Sequence, residues 1–202
     1  MTSESRGISG TDGSKDPTIS EKTRTRRGIV NMLKVKKART KGIMQKVNWN
    51  EIGQPIDKES MTLAHFIGAY ARRNIPIVCD DWRKKEWQNV KQTLWDEIKE
   101  TFQGVEDEHK GKIIRRAGEL HRQFRTRLRS LAKDRNGKYS VVPPSLYVNL
   151  SSVAPHWKEF VENSSKEEFM EISEKNKDKA KGMEARYKKA CVGYARIREK
   201  LK

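Results

Sequence analysis

The chain has 202 residues, 34% of them hydrophobic, with 44 Lys plus Arg against 27 Asp plus Glu, a net charge of +17. That length holds one domain with tails, and so low an apolar content implies a modest core. No apolar run reaches the length of a membrane span or a signal core, and two cysteines in unrelated settings, Cys79 and Cys191, suit neither zinc nor a disulfide framework.

The positive charge is concentrated. Residues 22–46 hold ten basic and no acidic side chains, and residues 109–138 hold eleven basic and two acidic. Focused cationic surface points to a polyanionic partner: nucleic acid first, an anionic membrane face or an acidic protein after it.

Taken in order, residues 1–46 read as a disordered, basic N-terminal arm. Its two basic clusters, including Arg26, Arg27, Lys36 and Lys37, suit nuclear import or a nucleic-acid arm. Residues 47–56 look extended, with Gly53 and Pro55 punctuating a turn and Trp49 and Ile56 as packing anchors. A helix is expected from about Asp57–Ser60 to Asn74, with Leu63, Phe66, Ile67 and Tyr70 on its apolar side. Pro76 ends it, an extended link follows, and Asp80 or Asp81 caps a second helix starting at about Trp82.

In that second helix Trp87, Val90, Leu94, Ile98 and Phe102 fall at helical steps of three and four. A third helix, 109–133, has Ile113, Ala117, Leu120, Phe124, Leu128 and Leu131 as its buried face. Arg115, Arg122 and Arg129, each seven apart, are expected on the opposite stripe, flanked by Arg116, Arg125 and Arg127 and followed by Lys133. If this helix enters a major groove, the stripe faces bases and the flanking arginines face phosphates.

Lys138–Val142 is expected to be a short strand or an extended link, broken by Pro143-Pro144. Pro155 opens a short helix that carries Trp157, Phe160 and Val161. Ser165 with Glu168 forms a capping box for a long last helix. There Asn176, Met183, Ala190 and Ile197 fall every seven, with Ala180, Tyr187, Tyr194 and Leu201 at the complementary offset. This heptad seam leaves open a homodimer through residues 165–202, packing back on the bundle, or continuation into further sequence.

Arg27-Gly28, Trp49-Asn50-Glu51 with Gly53-Gln54-Pro55-Ile56, Phe66-Ile67-Gly68 with Ala71-Arg72, and Asp81-Trp82-Arg83 occur in a characteristic succession. Trp95 with Ile98 and Phe102, His156-Trp157 with Phe160-Val161, Glu168-Phe169, Asn176 and Gly193-Tyr194-Ala195 continue it. In this order they resemble the plant transposase family of En/Spm (CACTA-type) elements, over about residues 26–195. The resemblance implies a nuclear, transposon-derived protein from a plant, in a DNA-associated region rather than the catalytic core. The chain departs from the family pattern at Leu120-His121, where a tryptophan is usual, and before Gly193.

The expected fold is mainly α. It is a bundle pinned by Trp49, Trp82, Trp87, Trp95 and Trp157, comparable at fold level with Myb-like and trihelix domains, with a long C-terminal helix. Residues 47–140 form the helical DNA-binding module, and 141–202 the linker and C-terminal helices. No catalytic or metal-binding residue and no cofactor is expected. The acids sit among lysines on helices, and His65, His109, His121 and His156 have neither ligand spacing nor a paired nucleophile. The expected function is DNA binding in the nucleus without catalysis, RNA being the alternative nucleic acid and a membrane none of the partners. The second reading is an interaction or oligomerisation module whose charge serves nuclear import.

Overall fold

The computed structural model describes residues 32–56, 59–134 and 136–182. Arg26, Arg27, the expected disorder of the first 31 residues and the heptad positions from Met183 onward lie outside the described residues. The chain is mainly helical, with six α-helices among the described residues.

The basic arm does not stay unstructured as far as residue 46. Leu33–Thr40 form α1, whose Val35 is buried in the main core. The helix is closed by a Schellman turn, in which Gly42 N–H donates to Arg39 O and Ile43 N–H to Ala38 O, with Gly42 at φ 69°. Charge alone predicted a solvated arm. Val35 in the core with Met32 packed against it, a C-terminal glycine and an ion pair from Arg39 to Glu100 hold it in place instead.

β1 (Gln45–Lys46) then pairs in parallel with β2 (Phe102–Gln103), and Val47 N–H donates to Gln103 O at 2.9 Å. Gly104 makes this approach feasible, because at φ +81° an added Cβ would stand 2.6 Å from Val47 O. The 49–55 segment folds into a tight turn, as Gly53 and Pro55 lead one to expect, with Gly53 at φ 66°. Trp49 bridges Pro55, and Asn50 Oδ1 accepts from the N–H groups of Ile52 and Gln54.

α2 (Glu59–Asn74) buries Leu63, Phe66, Ile67, Tyr70 and Ala71 and ends ahead of Pro76, as its pattern predicts. Ile75–Cys79 is a turn and not an extended link, since Cys79 N–H donates to Pro76 O. α3 (Gln88–Thr101) begins later than expected, after a short 3-10 turn at Lys85–Trp87. Neither Asp80 nor Asp81 caps it: Asp80 accepts from Asp81 N–H, and Asp81 Oδ1 accepts from Arg83 N–H at 2.9 Å, closing a turn. The cause is Trp82, which leaves the helical path to reach the next helix.

α4 (Asp107–Ala132) is the spine. Its N-terminus is a reciprocal box in which the Glu106 side chain accepts from the His109 N–H and His109 Nδ1 accepts from the Glu106 N–H. Its first half packs on α2 and α3 around Phe66, Trp95, Ile98, Phe102 and Ile113. Its second half holds a separate cluster of Ile77, Phe124, Leu128, Ala132, Tyr147, Val153, Trp157 and Phe160. Residues on both sides of position 140 therefore share one core. The buried stripe differs in part from expectation. His109, His121 and Ala132 join it, Leu120 is only half-buried, and Leu131 is exposed.

Residues 138–142 form no strand; a single bridge joins Lys133 to Tyr139. A 3-10 turn at Ala154–His156 carries Pro155 and leads into α5 (Trp157–Ser165). α6 (Glu167–Lys181) follows, and none of its residues is fully buried. Ser165 does not cap it. Lys166 is the N-cap without a side-chain bond, and the Ser165 hydroxyl donates backward to Val161 O within α5. Of the expected seam, Asn176 is exposed and Ala180 half-buried.

Each tryptophan ties two segments. Trp49 Nε1–H donates to Gly104 O at 2.7 Å, and its ring stacks on His109 at 3.8 Å. Trp82 Nε1–H donates to Ile114 O at 2.9 Å, and Trp157 Nε1–H to Ser140 O at 3.2 Å. Trp95 is buried with Lys99 and Lys110 over its ring, whereas Trp87 packs half-buried against Ala71, Ile75 and Cys79 with its N–H unpartnered.

Candidate nucleic-acid interface

α4 runs for 26 residues, about 39 Å of rod at 1.5 Å per residue. Its basic side chains separate into exposed and docked groups. Arg115, Arg122, Arg127 and Lys133 are exposed, and no carboxylate among the described residues lies within ion-pair distance of any of them. Arg115 and Arg122 share a stripe about 10 Å apart, with Lys133 further along it. Arg127 lies about 140° round the helix from Arg122, so the exposed cations cover a broad arc. Arg116 is exposed on the Arg127 side, but its Nη1–H donates to Glu119 at 2.8 Å. Lys133 Nζ also sits 4.8 Å from the Tyr139 ring centre.

Two expected contact residues do not stand free on the outer stripe. Arg129 does not extend the outer stripe: its guanidinium lies over Phe160 at 5.0 Å and Phe169 at 4.4 Å, and its Nε–H donates to Ser164 Oγ at 3.1 Å. Burial, with Arg125 nearby, pushes its pKa down to about 10. Arg125 turns inward and donates from Nη1 to Cys79 O at 2.6 Å, its Nε buried without a partner; burial lowers its pKa too. The reason is the same for both. Helical periodicity sees only the face toward α2 and α3, while the 75–80 turn and the α5–α6 hairpin cover a second side of α4 near its C-terminal end.

Lys36 and Lys37 are exposed on α1. Lys36 lines a small cavity with Phe66, Tyr70, Arg73 and Glu97 on the α2–α3 side, away from the α4 stripe. Lys112, which sequence reasoning passed over, holds the 50–55 turn, its Nζ donating to Ile52 O at 2.7 Å. Beside it an apolar groove of about 260 Å³ runs between Trp49, Pro55, Leu63, Ile67 and Ile113.

A larger cavity of about 400 Å³ opens between the last two turns of α4 and the first turns of α6. Arg129, Lys133 and Lys177 reach into it together with Ser130, Ser164 and Ser173. No local pattern could announce it, because its walls are some 40 residues apart in the chain.

The remaining reactive groups are muted. Burial pushes the Cys79 thiol up to about 11, so it is a thiol and not a thiolate at neutral pH. Burial, reinforced by Arg125, pushes His121 down to about 4 and keeps it neutral. Among the described residues no group of His, Cys, Asp and Glu is arranged to hold a metal, and no helix is long and apolar enough to cross a membrane. Compared with protein-family models, curated proteins and solved structures, the chain gives no match.

Proposed function

We propose that the protein is a nuclear, transposon-derived DNA-binding module without catalytic activity, contacting DNA phosphates mainly through the exposed arc of α4. The observation that carries this reading is the arc of Arg115, Arg122, Arg127 and Lys133, exposed and without an ion-pair partner among the acids of the described residues. An unpaired guanidinium is the preferred donor to phosphate, and a rigid helix holds several at fixed spacing. The rest of the fold serves to hold that rod. Trp49 and His109 lock its first turn, Trp82 ties its middle, and Arg125 and Arg129 dock its last third. Transposon origin and nuclear location rest on the residue succession that resembles the En/Spm family and on the basic clusters of residues 22–46.

With two of the six arginines docked, contact is with the phosphate backbone before bases, and RNA competes for the same surface. The test is the salt dependence of binding to a labelled duplex. Replacing Arg115, Arg122 and Arg127 together by Ala should flatten the log–log slope by about 2.7, since each phosphate that is no longer neutralised accounts for about 0.9. An unchanged slope removes α4 as the contact surface. Transposon terminal repeats set against scrambled duplex and against RNA measure how much sequence or sugar choice is added.

One observation favours the second reading, an interaction or oligomerisation module. α6 exposes Met170 and Ile172 at 49% and 57%. A concentration-dependent mass in sedimentation that is lost on Ile172→Gln, with salt-insensitive duplex binding, would turn the assignment that way.

A further inference from the structure

We propose that the cavity between the end of α4 and the start of α6 is a phosphate site, with Arg129, Lys133 and Lys177 as its cationic wall. Three positive groups and one carboxylate, Glu174, line it. The Glu174 carboxylate pairs with Lys177 at 2.7 Å, which leaves Arg129 and Lys133 with no acid partner among the described residues.

Arg129 is the group that asks for a ligand. Its Nε is held by Ser164 and its guanidinium plane is held over Phe160 and Phe169, so the side chain is oriented before anything binds. A half-buried cation that faces no carboxylate carries a desolvation cost that a bound anion relieves. Its terminal amino groups make no hydrogen bond to the described residues and belong to a cation that lines an open cavity. Planar paired N–H groups match two oxygens of a phosphate or carboxylate.

The rest of the lining suits an oxyanion. Ser130 and Ser173 put hydroxyls on opposite walls, and Ser164 keeps its own hydroxyl proton while accepting from Arg129. The last carbonyls of α4 would favour Arg129 and Lys133 with no ligand at all. They do not account for the cavity left open beside these two cations, onto which α6 brings Lys177.

The chemistry shared by every candidate ligand is a tetrahedral oxyanion, either a phosphate of bound nucleic acid or a free phosphate group. Only the source of the phosphate rests on the nucleic-acid reading; the site does not.

The experiment is calorimetric titration of the full chain with inorganic phosphate against chloride at matched ionic strength, alongside duplex binding. Phosphate should bind the native chain, and Lys177→Ala, an exposed change that leaves the fold intact, should weaken it about tenfold, the effect expected of one charged hydrogen bond. Arg129→Gln, checked for folding by circular dichroism, should abolish it. If Lys177→Ala also weakens duplex binding, the phosphate comes from nucleic acid; if duplex binding is untouched while phosphate binding falls, the ligand is a free phosphate group. Phosphate binding without any duplex binding leaves the site standing and removes the nucleic-acid reading. Phosphate retained no better than chloride, or equally by the native chain and Lys177→Ala, overturns the site.

Discussion

Gly111 and Gly118 lie two turns apart on α4, and replacing each by Ala should move stability in opposite directions. In a helix interior the exchange removes backbone freedom from the unfolded chain and gains about 1 kcal/mol. At Gly111 an added Cβ meets nothing within 4 Å, so that gain is realised in full. At Gly118 the same Cβ would stand 2.5 Å from Trp82 Cδ1 and 3.0 Å from Cγ. These are ring atoms close to the root of the side chain, and the far side of the ring is tethered through Nε1–H to Ile114 O. The ring cannot swing aside without losing that bond, so overpacking of about 1–3 kcal/mol is added to a hydrogen bond worth about 1 kcal/mol. Against the propensity gain, the net destabilisation is about 1–3 kcal/mol. In a chain of this size that is a midpoint about 3–9 °C lower for Gly118→Ala and about 2–4 °C higher for Gly111→Ala, read by thermal melting of the far-ultraviolet signal. Equal stabilisation by both substitutions would refute the seating of Trp82 against α4, and with it the account of why α3 starts at Gln88.

The His121 imidazole is neutral in the fold with its pKa near 4, and in the unfolded chain it titrates near 6.5. Between those values the unfolded state binds the extra proton. Stability is therefore full above about pH 6.5 and falls as the pH drops toward 4, by up to about 3 kcal/mol. Urea titrations at pH 7.5 and pH 5 on the native chain and His121→Gln should differ in that interval, and parallel curves would dismiss the site as the cause. Gly104→Ala should cost about 3 kcal/mol, combining the left-handed backbone at φ +81° with the approach to Val47 O, and a neutral result in denaturant would mean β1 and β2 do not pair as described. Trp49→Phe keeps a ring for His109 but leaves Gly104 O without its donor, a loss of about 1 kcal/mol by the same denaturant method; no loss would assign the anchoring to ring stacking alone.

Much of the fold is legible in the residues alone. The three-and-four spacing of Leu63, Phe66, Ile67 and Tyr70, and of Val90, Leu94 and Ile98, marked helices that the structure contains, because a buried helical face can be built in no other rhythm; Phe102, expected to continue the second, lies just past its end in β2. The concentration of arginine on residues 109–138 likewise located the basic helix, since charge is a property of composition. Tertiary structure alone decided which arginines remain available. Arg115, Arg122 and Arg129 are equivalent in periodicity, yet Arg129 is capped by Phe160, Phe169 and Ser164 from segments some 30 to 40 residues later. A helix of 26 residues outlasts the bundle that its own pattern describes, and a side chain beyond that bundle is solvated or enclosed according to what the chain folds back onto it. The same fold-back brought Lys177 beside Lys133 and Arg129, a juxtaposition that no spacing along the chain encodes.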